Sequence, residues 1–266
     1  MAYNRGIVAL EIFVLIFTVA AGLVAGSYLN VLIHRLPRGK STALPRSRCP
    51  YCDGTVRAVD NIPLLSFLLL GGRCRRCRAP ISWRYPIVEA LTALLFVVCL
   101  FRFGLTGQAA ASALFCCLML ALALIDLEHY LLPDKITLPG IVAGLALQPW
   151  LPATTFLDAV VGTFVGAGIV ILLMNFWYWW RGEEGMGLGD VNMMALIGAF
   201  LGWQGVLITL LLGALSGALV GVFLMFRGRL EMKSKLPFGT FLAFAAIIAL
   251  FAGDRLIAYY SHLLFR

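Results

Sequence analysis

Charge is what this sequence has least of. Only 13% of its 266 residues are Asp, Glu, Lys or Arg, about half the ~25% usual in soluble domains. Histidine is scarce at three residues. None belongs to an H-E-x-x-H pair, which excludes the common helical metalloprotease motif. His34, His129 and His262 read as boundary or interfacial residues rather than members of a triad or metal site. The apolar stretches lack strand-like alternation, so a membrane barrel is excluded. No glycine fingerprint opens a helix after a strand, which removes a Rossmann-type nucleotide fold. Internal repeats of the transporter kind are absent too. Ser27, in Gly26-Ser27-Tyr28-Leu29-Asn30, has no basic partner in sequence and is a poor nucleophile candidate.

What the chain has is apolar length. Hydrophobic residues make up 61% and the mean hydropathy is +0.93. A helix needs about 20 apolar residues to cross a hydrocarbon core. Candidate runs lie near 7–33, 86–103, 109–126, 136–150, 156–180, 190–202, 205–226 and 238–260. Only helices or closed barrels satisfy the backbone in lipid. The expectation is an all-α polytopic membrane protein with about eight transmembrane helices, of which 136–150 and 190–202 are short. The first run is too long for a signal-peptide core and ends in Asn30, His34 and Arg35 instead of small residues, so it reads as a retained helix. Three segments follow: a first transmembrane helix at 1–33, a polar loop at 34–85 and a helical core at 86–266.

The loop holds the charge. It carries 11 of the 21 Lys and Arg against only Asp53 and Asp60. Its net +9 thus exceeds the +8 of the whole chain. Positive loops stay in the cytoplasm, so this one should face inward. Threading eight helices from it puts Lys135, Arg181 and the basic residues of 227–235 on the same side, with both termini outside. Seventeen basic residues then lie inside, and Arg5, Arg102, Arg255 and Arg266 outside. Topogenesis and attraction to anionic membrane lipid account for the patch, so no nucleic-acid partner is expected.

Two acids stand out against this background. Asp126 ends the run Ala109–Ile125, and Asp190 heads a later one in Gly187-Leu188-Gly189-Asp190. An ionisable residue at membrane depth is a functional-site candidate. The threading brings both to the cytoplasmic boundary. Two carboxyls held close share a proton, one acting as base on water and the other as acid on a carbonyl. Glycines at 185, 187 and 189 would let the backbone approach closely. Asp190 also fits the bland role of helix cap, as does Asp134 in Leu132-Pro133-Asp134. Glu183 and Glu184 read as solvated loop charges.

The loop's cysteines form a second constellation. Cys49-Pro50-Tyr51-Cys52 and Cys74-Arg75-Arg76-Cys77 are two C-x-x-C knuckles, close to the spacing of a four-thiolate zinc site. Disulfides compete with that reading, but a cytoplasmic loop is reducing. Such zinc (Zn2+) is structural, since four thiolates leave no position for water. Cys99, Cys116 and Cys117 lie in apolar helices and read as packing residues.

With these residues in view, the chain resembles the type IV prepilin peptidases. The resemblance runs through Gly26-Ser27-Tyr28-Leu29-Asn30-Val31, Arg35-Leu36-Pro37, both knuckles, and Asp60-Asn61-Ile62-Pro63-Leu64-Leu65-Ser66. It continues through Ile81-Ser82-Trp83-Arg84-Tyr85-Pro86-Ile87-Val88-Glu89, Asp126 with Leu131-Leu132-Pro133-Asp134, the Gly-Leu-Gly-Asp at 187–190, and Leu236-Pro237-Phe238-Gly239. One departure is Asn192, where the family leads one to expect lysine. The resemblance implies an aspartic endopeptidase with Asp126 and Asp190 as catalytic residues. It implies cleavage of the short basic leader of type IV prepilins and pseudopilins at the cytoplasmic face of the bacterial inner membrane. It further implies N-methylation of the new amino terminus from S-adenosylmethionine. The donor pocket has no fingerprint; Glu89 and the 34–85 loop are its suggested neighbours. Anionic lipid, or Glu183 and Glu184, would receive the basic leader. A presenilin-like protease without methyl transfer, and a proton-coupled transporter using the acid pair, are the competing classes.

Overall fold

The computed structural model describes residues 2–43, 47–182, 187–227 and 236–264. Arg46, Glu183, Glu184, Gly185, the stretch 228–235 and Arg266 lie outside the described residues. The side chains of Arg5 and His262 do as well.

The α-helices are α1 (Ala2–Arg35), α2 (Leu65–Leu69), α3 (Arg84–Phe103), α4 (Gly107–His129), α5 (Asp134–Ala146), α6 (Phe156–Arg181), α7 (Leu188–Phe226) and α8 (Phe238–Leu264). Among the described residues the only β pairings are two isolated bridges, Arg48–Thr55 and Arg73–Pro80. Among the described residues five helices are long and apolar enough to cross a membrane, α1, α3, α4, α6 and α7, and the described part of α8 is a shorter apolar helix. Local chemistry sets several ends. The Thr106 hydroxyl accepts the Ala109 N–H to start α4. Thr155 and Asp158 cap each other's backbone at the start of α6. Gly104 and Gly182, both at φ 69°, stop α3 and α6. Asp134 lies in the first turn of α5, with Pro133 at the cap position, so the cap expected of it does not form.

The expected pair of runs at 190–202 and 205–226 appears as one long helix, α7, broken at Gly202 (φ 68°, ψ −178°). The two arms double back. Gly202 lies against Asp158 near the start of α6, whereas Met194 and Val206, on opposite sides of the break, both meet Gly166 further along it. Eight helical segments of core length or near it therefore follow from α1, α3, α4, α5, α6, the two arms of α7, and α8. Glycines make the crossings close. A Cβ on Gly162 would come within 2.8 Å of the Gly198 carbonyl, so the α6 and α7 backbones touch as small-residue membrane interfaces do.

Packing divides the chain into two units, 1–105 and 106–266. In the first, α1 packs on α3. Gly22 and Gly26 face the backbone of Ala93 and Glu89, where added Cβ atoms would sit 2.6 and 2.7 Å from their Cα atoms. The loop 36–83 belongs to this unit. In the second, α4 packs on α5 and α8, α5 on α7, and α7 on α6 and α8. Helix α4 is the enclosed one: 72% of its most apolar stretch is buried, against 22–28% for α6 and α7. The side chains that α6 and α7 leave exposed suit a lipid surround, and the cluster Trp177-Tyr178-Trp179-Trp180 beside Arg181 has the composition of an interfacial belt.

Candidate active site

Asp126 ends the buried face of α4 and is itself 6% exposed. Its Oδ2 accepts the Thr240 N–H at 2.7 Å, and the Thr240 hydroxyl lies 3.2 Å away. That hydroxyl also donates to the Ala123 carbonyl at 3.0 Å. Thr240 is the third residue of α8, where backbone N–H groups have no helical acceptor. A carboxylate from α4 thus satisfies the start of α8 and is fixed by it. Gly239 is required here: a Cβ would lie 3.0 Å from Asp126 Oδ2 and 3.0 Å from a Leu132 methyl.

Asp190 lies in the first turn of α7, three residues after the Gly187 cap. Its Oδ2 accepts the Gly187 N–H at 3.2 Å. The capping role is real, yet it occupies one oxygen only. Gly189 beside it has no room for a side chain, because a Cβ would lie 2.8 Å from Leu132 Cβ. One leucine therefore touches both Gly189 and Gly239, the glycines next to Asp190 and against Asp126. Leu132 is brought there by Tyr130, whose left-handed φ of 52° turns the chain out of α4. On the far side of the turn, Asn192 Nδ2 donates to Asp134 Oδ1 at 2.8 Å and ties the head of α7 to that of α5. Sequence reading named both aspartates as the candidate pair. It assigned no role to Thr240 or Leu132, although Leu236-Pro237-Phe238-Gly239 was a visible flag for a helix start.

The four loop cysteines also meet. Their sulfurs lie within 4.8 Å of one another, and Cys49 Sγ is 3.7 Å from Cys77 Sγ. Tetrahedral thiolates at about 2.3 Å from a metal have edges of about 3.8 Å, so the donor set fits one ion. All four are free thiols. The knuckles are built alike. The residue after each second cysteine, Asp53 or Arg78, has positive φ and donates its N–H to the first cysteine's carbonyl at 2.9 or 3.0 Å. The N–H groups of Cys77 and Arg76 pull the Cys74 thiol down to about 6, whereas burial and the neighbouring thiols push Cys77 up to about 11. Arg75 then clamps Asp60 through Nε at 3.0 Å to both oxygens and holds that carboxyl below its usual range.

Glu89 opens the buried face of α3 and is 8% exposed. It accepts the Leu64 N–H at 2.9 Å and a hydrogen bond from the Ser27 hydroxyl. Leu64 is at φ 57°, a strained position for leucine that aims its N–H at the carboxylate. Together with the loop, Glu89 lines a cavity of about 570 Å³ inside the first unit.

Comparison with known proteins shows the family. Residues 113–222 match the type IV leader peptidase family, and residues 20–103 match the bacterial peptidase A24 N-terminal domain. The chain is 37% identical to the prepilin leader peptidase/N-methyltransferase of Burkholderia pseudomallei, over 90% of this chain and 85% of that protein. It is 40% identical to the protein of that name in Pseudomonas aeruginosa, over 91% and 92%. With that of Aeromonas hydrophila the identity is again 40%, over 90% of each. No solved structure matches significantly. The chain belongs to the type IV leader peptidase family.

Proposed function

We propose that this protein is a membrane aspartic endopeptidase that removes the basic leader of type IV prepilins and pseudopilins, and an N-methyltransferase that then modifies the new amino terminus with S-adenosylmethionine. The observation that carries the cleavage reading is Leu132 in contact with both glycines that flank the aspartates, in a chain about 40% identical to named leader peptidases.

The chemistry needs one carboxylate and one carboxylic acid. The carboxylate takes a proton from water, whose oxygen attacks the scissile carbonyl carbon while the acid protonates the carbonyl oxygen. The tetrahedral intermediate collapses with loss of the C–N bond: the proton held by the former base goes to the leaving amine, and the hydroxyl proton of the reforming carbonyl returns to the former acid. Thr240 fixes one oxygen of Asp126, and Gly187 one oxygen of Asp190, so each carboxyl keeps a second oxygen for water or substrate. The four-cysteine cluster is read as a structural zinc site that supplies folding free energy to a loop too polar to form a core. S-adenosylmethionine, when bound, supplies an electrophilic methyl group.

In this reading the protein spans the inner membrane, with the aspartates and the 34–85 loop on the cytoplasmic side and both termini outside. Anionic lipid beside the loop is the expected surface partner. Asp126→Asn and Asp190→Asn test the pair in liposomes with a prepilin substrate. Each alone should reduce cleavage below detection with the melting temperature retained. Cleavage by either variant at a measurable rate would exclude the shared-proton mechanism. Scoring methyl transfer separately, with labelled donor and pre-cleaved pilin, separates this enzyme from a presenilin-like protease.

A further inference from the structure

We propose that Asn192 and Asp134 act as a pin for the candidate pair: the hydrogen bond between them fixes the rotation and height of the first turn of α7 on α5, and so the place of the Asp190 carboxyl relative to Asp126. The proposal rests on the cleavage reading above and adds two positioning residues to it.

The two acids stand on helices that packing joins mainly through α5 and α8. Asp126 lies near the end of α4 and Asp190 in the first turn of α7, and each of these helices packs on both α5 and α8. Phe115 of α4 and Phe200 of α7 do touch, with ring centroids 5.0 Å apart. That contact is about ten residues or 15 Å along each helix from the aspartates, too far to fix a carboxyl. Gly213 and Gly217, which face α8, lie on the second arm of α7. The arm that carries Asp190 lies along α5, and α5 links it to α4.

The α5–α7 seam is apolar through its middle. Gly140 and Gly144 leave no room for a side chain, and Leu196, Ala199 and Phe200 fill the space they open. Together with Asn192 these positions recur at helical spacing and form one face of α7. Contacts between apolar groups have no direction, so such a seam resists separation better than it resists sliding or turning. Directional bonds sit at its two ends. Gln148 Nε2 donates to the Ala199 carbonyl at 2.8 Å at the end away from the aspartates. Asn192 Nδ2 donates to Asp134 Oδ1 at 2.8 Å at the end beside them. Fixing register is the best-attested use of a polar residue in an apolar helix seam.

Asp190 is bracketed by this arrangement. Gly189, just before it, bears on Leu132, and Asn192, just beyond it, binds Asp134. Leu132 and Asp134 belong to one short stretch that leaves α4 after Asp126 and enters α5. That stretch begins with the Tyr130 N–H bonded to the Asp126 carbonyl at 2.8 Å. One side of the bracket is a hydrocarbon contact and the other a hydrogen bond, and both lead back to the turn of helix that holds Asp126. Asp134 is exposed and Asn192 half-buried, so the bond contributes modestly to folding. Its leverage is on geometry, since misplacing a reacting group by about 1 Å costs up to about a hundred-fold in rate.

Cleavage kinetics of the full chain in liposomes, with a prepilin substrate, test the pin. Asn192→Ala should lower kcat about ten-fold, with KM and melting temperature near those of wild type. Asp134→Ala should do the same. The double variant should be no slower than either alone, because both changes remove one bond. Asp134→Asn keeps an oxygen for the Asn192 amide and should recover most of the rate lost in Asp134→Ala. Unchanged kcat in Asn192→Ala overturns the pin, as does a double variant whose losses multiply. A lower melting temperature with an unchanged rate per folded molecule also overturns it, since the bond would then serve stability alone. If Asn192→Ala does not fold, the two Asp134 variants decide the matter: failure of Asp134→Asn to recover rate overturns the pin. Wild-type protein that leaves the prepilin uncut overturns instead the cleavage reading on which the pin rests.

Discussion

At the scale of single residues, Thr240 holds the geometry of Asp126 with two groups of different replaceability. Its N–H survives any substitution but proline, whereas its hydroxyl does not. Thr240→Val should lower kcat for prepilin cleavage about ten-fold, the worth of a hydrogen bond to a charged group. KM should change little, because the hydroxyl reaches Asp126 and the Ala123 carbonyl. Thr240→Ser restores the hydroxyl and should recover most of the rate; failure of that rescue would assign Thr240 to packing alone. Asp126 and Asp190 were legible in the sequence because a carboxylate in an apolar run demands a reason. Thr240 was not, since hydroxyl residues in apolar helices usually bond their own backbone, as Thr92 does to Val88. Asn192 was legible as a departure from the family, but its bond to Asp134 needed three-dimensional proximity across 58 residues.

At the scale of elements, α7 and the knuckles behave differently. The break at Gly202 needs a backbone conformation open mainly to glycine, and a Cβ there would also press within 3.1 Å of Thr154. Gly202→Ala should cost about 1–3 kcal/mol, read as a lower melting temperature in detergent, while a conservative change at exposed Leu219 should cost little. The sequence showed the interruption near 202–204 as a gap between two apolar runs. It did not show that the arms fold against Gly162 and Gly166, because glycine in a hydrophobic run signals no partner. The meeting of the knuckles was legible from spacing, since two tight C-x-x-C turns each present a pair of sulfurs. Purified protein should hold about one zinc per chain. Cys52→Ser or prolonged chelation should lower that content and destabilise the loop, read by limited proteolysis within 36–83. A metal content near zero in untreated protein would remove zinc from the description.

At the scale of the whole molecule, the charge is concentrated in one loop: residues 34–85 carry a net +9 in a chain of net +8. If that asymmetry fixes orientation, a phosphatase fused after residue 266 should be active and one fused within the loop near residue 58 inactive. The opposite pattern would invert the topology and place the aspartates on the wrong face for a cytoplasmic leader. Helix number and type were legible because hydrocarbon thickness constrains length so strongly. Grouping was less so. Nothing in the composition of 86–103 distinguishes it from the later helices, yet the facing glycines of α1 join it to the first unit.

Leu132 gives the candidate site an unusual kind of ruler. Asp126 and Asp190 come from different helices, α4 and α7, so no continuous helix spaces them. Between the glycines beside them lies one hydrocarbon side chain, clasped by two residues that have none. Packing of that sort is steep in energy and short in range. A change of one methylene at position 132, 189 or 239 should therefore shift the helix starts against which the two carboxyls are held, and the proposed catalytic pair inherits the tolerances of a hydrophobic core.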